Sequence, residues 1–291
     1  MAHTAFKQKL PAQTYSLVSF PSQHVMLVVF NRPGKLNAMT VNAQYELEAL
    51  FTWYDAEPSL RCAVITGAGR AFCSGMDLKE WNDIATRRSR GLQEERPMNP
   101  PSGFGGLSRR HGKKPIIAAV NGLAFGGGLE ILANLDLIFA AKSAKFALTE
   151  VKRGVVPNAG SLPRLARTIG RPRAMELALT GRAITAAEAK DWSLINDVTE
   201  DSASGDDGSV IDRPVVQKAI QFAGTIASNS PDSVIISRAG VISGWEDGSA
   251  ENATRLLCET WNSTLYGGEN HREGLLAFVE KRDPKWIDSR L

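Results

Sequence analysis

The chain has 291 residues, 43% of them hydrophobic and 22% charged, an ordinary make-up for a globular protein of one large domain or two small ones. Its net charge of +3 is too small to mark a nucleic-acid binder, yet a modestly basic surface suits an anionic ligand. Three scattered cysteines (Cys62, Cys73, Cys258) and four dispersed histidines (His3, His24, His111, His271) argue against a disulfide framework and a metal site, and favour reduced thiols in an intracellular protein.

Residues 1–14 are polar, with Lys7, Lys9 and Pro11, and do not read as a secretory signal. Tyr15 to Phe20 alternates, Pro21-Ser-Gln-His24 turns, and Val25 to Phe30 is a continuous apolar run, so the opening predicts a hairpin. Asn31-Arg-Pro-Gly34 breaks it. Leu47, Leu50, Phe51 and Tyr54 then mark one face of a helix. Arg61 to Thr66 predicts a strand ended by Gly67-Ala-Gly69. Residues 82–114 carry Arg87, Arg88, Arg90, Arg96, Arg109, Arg110, Lys113 and Lys114 among prolines. That composition reads as a mobile surface segment, or more sharply as a lid over an anionic ligand. The most apolar stretch, Pro115 to Ala141, is interrupted by Asn121, Glu130, Asn134 and Asp136, which makes it core and not a membrane span. Within it, Pro115 to Asn121 predicts a strand leading through glycines into a helix over 127–135. Asp136 to Ala141 and Lys145 to Thr149 are further strands. Strands alternating with helices imply an α/β core with parallel pairings.

Beyond Gly154 the pattern becomes helical. Leu162, Leu165, Ala166 and Ile169 mark one helix, stopped by Gly170, and Thr185-Ala-Ala-Glu188 is a capping box that opens another. The organisation expected is therefore a catalytic core over 1–200, a polar linker over 201–214, and a helical region over 215–291 with helices near 215–229, 232–243, 249–265 and 270–281. The last three residues, Ser289-Arg290-Leu291, are close to the Ser-Lys-Leu peroxisomal address, which implies a peroxisomal location and an import receptor as partner; otherwise the chain is expected in the cytoplasm.

Glu130 and Glu150 stand twenty residues apart, each in a mostly apolar stretch where a solvated charge is out of place. Two carboxyl groups in one dry pocket can hold one proton and pass it to a substrate. Two glycine turns each follow a strand, one at Ser74-Gly75-Met76-Asp77 and one at Gly126-Gly127-Gly128. Neither has the spacing of a P-loop or of a dinucleotide fingerprint. A glycine turn into a helix frees backbone N–H groups, and two such groups from separate turns can converge on one oxygen.

The ordered blocks Asn31-Arg-Pro33, Leu36-Asn-Ala-Met39, Phe72 to Lys79, Lys114 to Gly122, Ala124 to Glu130, Leu179-Thr-Gly-Arg182 and Phe278 to Arg282 closely resemble the enoyl-CoA hydratase/isomerase (crotonase) superfamily over nearly the whole chain. The resemblance implies an α/β spiral of repeated ββα units with a helical C-terminal part, assembled as a homotrimer or as a hexamer made of two trimers. It implies a coenzyme A thioester as substrate, with no separate cofactor; the residues themselves predict no metal site and no membrane span, and nucleic acid is not the expected partner. The backbone N–H groups of Met76 and Gly127 would form the oxyanion hole. Lys35, Leu36, Met76, Asp77, Leu78, Lys79 and Gly127 would bind the coenzyme A thioester. Glu130 and Glu150 would hold the water of a hydratase. One would take a proton from that water, and the protonated partner would supply a proton at C2. Having both favours water addition, as in a lyase of fatty acid metabolism, over a double-bond shift.

The chain departs from the family in Gly154-Val-Val-Pro157-Asn158-Ala159-Gly160-Ser161, where Asn158 and Ser161 replace glycines of the common pattern and become acyl-pocket candidates. Met76 replaces a common alanine. The stretch Glu150 to Pro157 and the ending Ala277 to Trp286 resemble the carnitinyl-CoA dehydratase branch, which hints at a functionalised acyl group. The rival readings are an enoyl-CoA isomerase or specialised hydro-lyase and, from another class, a non-catalytic member that binds coenzyme A or RNA.

Overall fold

A computed structural model describes residues 6–92, 96–203 and 208–291. The first five residues, residues 93–95 of the basic segment and residues 204–207 of the polar linker lie outside the described residues.

In chain order, the hairpin is β1 (Ser16–Ser22) and β2 (Val25–Phe30), followed by α1 (Val41–Ala56). Next come β3 (Cys62–Gly67), β4 (Ala71–Cys73) and α2 (Leu78–Ser89). A second such unit is β5 (Ile116–Val120), β6 (Leu123–Phe125) and α3 (Gly127–Leu132). A third starts with β7 (Leu137–Ala141) and β8 (Lys145–Ala147) and continues into α4 (Ser161–Ile169) and α5 (Arg171–Thr180). Then follow β9 (Ile184–Thr185), α6 (Ala186–Asp191) and β10 (Asp197–Thr199). The chain closes with α7 (Pro214–Ala227), α8 (Pro231–Glu246), α9 (Ala250–Tyr266) and α10 (Glu269–Glu280).

The first strand of each ββα unit joins one sheet and the second strand joins the other. The large sheet has six strands in the order β1-β2-β3-β5-β7-β10, and the small one has four in the order β4-β6-β8-β9. β1 pairs antiparallel at the edge; β2, β3, β5, β7 and β10 are parallel. This is the spiral of ββα units that the family resemblance implies.

β2 and β3 are buried at every position because the large sheet is covered on both faces. Alternate residues serve alternate cores. Met26, Val28, Phe30, Ala63 and Ile65 face the interior of the spiral, where the α1 stripe of Leu47, Leu50, Phe51 and Tyr54 packs. Val25, Leu27, Val29, Cys62 and Val64 face the opposite way, onto Val215, Val216, Ala219, Ala223 and Ala227 of α7. The small residues at four-residue spacing on α7 let that helix approach the sheet closely, so the helix that follows the 201–214 segment shares a core with the strands.

Among its described residues, the basic segment 82–114 is mostly exposed in its first half and enters the core in its second. Its first part is the end of α2, and residues 103–108 are buried in the core. Arg110 is buried and its guanidinium meets Asp55 at 2.6 Å. Lys114 is buried and donates to the carbonyls of Tyr54, at 3.0 Å, and Glu57. Composition alone misread these cations as solvated because it carries no information about their partners.

The C-terminal tail is laid along the body. Trp286 Nε1 donates to Ser228 O at 2.8 Å, and Ile287 N donates to Asn270 Oδ1 at 3.0 Å. Ser289 Oγ donates to Asp232, Lys113 Nζ donates to Leu291 O, and Arg290 pairs with Glu269 at 2.9 Å.

Candidate functional site

Glycine backbones bring the two turns together. Gly75 has φ of +96°, and a Cβ there would lie 3.2 Å from Gly127 N and 3.1 Å from Phe125 O. Gly126 has φ of +55° and heads α3, so Gly127 is the first residue of that helix and its N–H has no intrahelical acceptor. Among the described residues, neither Met76 N–H nor Gly127 N–H finds an acceptor. Two unpaired donors therefore sit on adjacent turns of successive ββα units. A Cβ on Gly127 would fall 2.5–2.6 Å from three atoms of the Phe104 ring, so the buried ring packs directly against this backbone.

Glu130 sits on α3, one turn from the Gly127 N–H, and is only 4% exposed. Its Oε2 accepts from Ser161 N at 3.2 Å and from Ser161 Oγ at 3.0 Å. Burial raises its pKa above the ordinary carboxylate value, and the two Ser161 donors work against that rise. Glu150 is half-buried where β8 enters a short 3-10 turn. A Cβ on Gly126 would lie 3.1 Å from Glu150 Oε1, so this carboxyl rests on the N-terminus of α3. Its Oε2 is buried with no hydrogen-bond partner. Burial pushes the Glu150 carboxyl up to about 7, and the Glu130 charge adds to the rise. One carboxyl thus has two donors, and the other has an oxygen with none.

A ledge runs beside the donors. Ser74 N donates to Leu36 O at 3.0 Å, Met39 N to Gly75 O at 2.9 Å, and Asp77 N to Met39 O at 2.9 Å. The 35–39 and 74–79 segments are therefore neighbours, as the sequence blocks imply. Asn37, which sequence reasoning left without a role, holds this ledge. It is 1% exposed at a φ of +54°, and its Nδ2 donates to Ala68 O and Ala71 O. Lys35, Leu78 and Lys79 are exposed along the ledge. The Asp77 side chain is already committed: it pairs with Arg32 at 3.1 Å and caps α2 through Lys79 N at 3.2 Å.

The two acyl-pocket candidates part company. Asn158 is exposed, whereas Ser161 is fully buried and its hydroxyl is engaged with Glu130. The Met76 side chain turns toward α1, where Gln44 Nε2 lies 3.3 Å from its sulfur. Gln44 also accepts from Gly105 N at 3.2 Å and donates to Met98 O at 3.2 Å. Met76, Phe104 and the 98–105 backbone thus form one wall beside the unpaired N–H groups. The Phe104-Gly-Gly-Leu107 run is the part of the site that composition hid. An apolar run inside a basic segment was the available signal.

The family model for enoyl-CoA hydratase/isomerase matches residues 21–289. A mevalonyl-coenzyme A hydratase of Beauveria bassiana is 50% identical over 288 residues, covering 98% of this chain and 99% of that one. A mevalonyl-coenzyme A hydratase of Aspergillus fumigatus is 45% identical over 275 residues, covering 94% and 96%. Among solved structures, an enoyl-CoA hydratase from Mycobacterium tuberculosis superposes with a TM-score of 0.80 at 30% identity, covering 95% of this chain and 100% of that one.

Proposed function

The chain belongs to the enoyl-CoA hydratase/isomerase family, and from that membership we propose that it is a hydratase of a branched acyl-CoA, reversibly removing water from mevalonyl-CoA or a close analogue. The observation that carries water chemistry is the unequal pair of carboxyls, Glu130 with two donors and Glu150 with a buried oxygen that has none. In the hydration direction the thioester carbonyl accepts from Met76 N–H and Gly127 N–H. Negative charge grows on that oxygen as water adds at C3, so these donors stabilise the transition state more than the ground state. The glutamates hold the water: one takes its proton and the other gives one to C2. The reverse sequence expels the 3-hydroxyl.

Three features support the acyl choice. The two mevalonyl-coenzyme A hydratases are similar to this chain along almost its entire length. Met76 and Phe104 form a wall where a small alanine is common in the family. The likeness of the stretch Glu150 to Pro157 and of the ending Ala277 to Trp286 to the carnitinyl-CoA dehydratase branch also points to a functionalised acyl group. The test follows conjugated-thioester absorbance with mevalonyl-CoA, crotonyl-CoA and a 3-enoyl-CoA. Mevalonyl-CoA is expected to gain conjugation with a kcat/KM about tenfold or more above that for crotonyl-CoA hydration, a discrimination within reach of one or two pocket contacts. Faster turnover of the 3-enoyl-CoA would favour an isomerase. Binding of coenzyme A with no change in any thioester would overturn the enzymatic reading. The RNA reading is weakened by Arg110 and Lys114, two cations of the basic segment that serve the core.

We also propose that Ser289-Arg290-Leu291 acts as a peroxisomal address. The contacts with Asp232, Lys113 and Glu269 hold the tripeptide against the body, so a receptor would engage it after the tail peels away. Deleting the three residues from a chain tagged at its N-terminus should leave it in the cytosol; unchanged peroxisomal signal would refute the address.

A further inference from the structure

We propose that Ser161 is a positioning residue, whose hydroxyl holds Glu130 in one orientation and favours its anionic form. This rests on the hydratase reading for its catalytic consequence, though not for the contact itself. Ser161 is fully buried and is the first residue of α4. Its backbone N–H is one of the free donors of that nine-residue helix, and both that N–H and its hydroxyl point at the same oxygen, Glu130 Oε2. The positive end of the α4 dipole adds to the preference for negative charge there. A glycine at this position keeps the N–H and lacks the hydroxyl. The chain therefore carries one charge-assisted hydrogen bond beyond what its own backbone supplies.

The loop before Ser161 is fixed from the other side. Ser108 Oγ donates to Ala159 O at 2.7 Å and accepts from Phe104 N at 2.8 Å. Ser161, Glu130 and the Phe104 ring on Gly127 are thereby parts of one braced unit.

Other charges near Glu130 do not do this work. From β4, the Cys73 thiol is pushed up to about 12 by burial and stays neutral. β6 and the 104–106 turn bring no titratable group. From α4, Arg164 is occupied by Asn134 Oδ1 at 2.8 Å and Gly160 O at 3.1 Å, and pairs loosely with Glu246 at 3.9 Å. Arg109 lies along Gly160 and is exposed. Across the site stands Glu150; Lys152 and Arg153, on the same turn, face solvent.

In hydration, water's hydroxyl goes to C3 and its proton to Glu130, while the proton on Glu150 goes to C2. Net addition is one water, and a proton passing from Glu130 to Glu150 resets the pair. Favouring the Glu130 anion keeps the single shared proton on Glu150 before each turnover.

The experiment compares Ser161→Gly, Ser161→Ala and Ser161→Thr with the wild type. Gly and Ala should lower kcat about tenfold with little change in KM, the size expected from one hydrogen bond to a charged group. Losing a donor destabilises the anion, so the acidic limb of the kcat/KM profile should move up by about one pH unit. The alkaline limb, set by proton loss from Glu150, should stay in place. Thr retains a hydroxyl and should restore both rate and limb. An unmoved acidic limb, or a rate loss that Thr does not recover, overturns the proposal. A ¹³C-carboxyl titration of Glu130 in the ligand-free protein decides the contact without any turnover. A raised Glu130 pKa in Ser161→Ala supports it; an unchanged one overturns it. A wild type that hydrates and dehydrates nothing overturns the hydratase reading alone.

Discussion

Exchanging either glutamate for glutamine, Glu130→Gln or Glu150→Gln, is expected to lower kcat by about 10²–10⁴-fold while the fold stays intact, as steady-state rates and circular dichroism will show. Glutamine keeps the shape and the acceptor oxygen but can neither take nor release the proton. The Glu150 exchange should also move stability in the opposite sense to activity. Burial pushes its carboxyl up to about 7 in the folded protein, above the ordinary value of 4.5. A raised folded-state pKa means that the protonated group favours folding below the ordinary value, and that this contribution disappears as pH rises through 7. Above pH 7 the wild type carries a charge in a partly desolvated place, with one oxygen lacking a donor. Glu150→Gln should therefore unfold at higher urea than the wild type at pH 8, and the advantage should shrink toward pH 5. A variant that loses both activity and stability at pH 8 would mark Glu150 as a structural carboxylate.

The second large effect is expected at Gly127→Ala. A methyl group there has no room, because the Phe104 ring already occupies the space at 2.5–2.6 Å. Either the ring moves or the first turn of α3 rotates its N–H away from the oxygen it is to meet. Loss of one such donor lowers kcat by about 10²–10³-fold, and the forced overpacking removes about 1–3 kcal/mol of stability. Adding Phe104→Leu should return much of both, with the pair non-additive in urea unfolding and in kcat. Gly127→Ala with wild-type kcat would show that this N–H does not serve the reaction.

What was legible in the sequence follows the length and contrast of each signal. The apolar strands and the α1 stripe were visible because their burial repeats over many residues. β4 and β6, each three residues long, are too short to show a period. α5 was missed although Pro172 stands in its first turn; it buries only Ala174 and Leu177, so its stripe is thin. Glu130 and Glu150 stood out as carboxylates in apolar runs, but their meeting depends on how far the spiral advances between them. Ser161 was read as an acyl-pocket residue, since nothing local says which side chain the start of α4 will face. Arg110 and Lys114 were misread because their partners, Asp55 and the Tyr54 carbonyl, lie more than fifty residues away.

The two donors that would face the thioester oxygen are main-chain groups, one on each of two neighbouring ββα units, and their separation is set by the stacking of strands. Gly127 is held to glycine by the Phe104 ring, but the side chain at Met76 is free to vary. Met76 can stand where alanine is common and reshape the acyl wall while its N–H keeps its place. Mutation can thus explore new acyl groups without first dismantling the machinery that activates them. Such a scaffold lets substrate range drift through evolution while the main-chain donors stay in place.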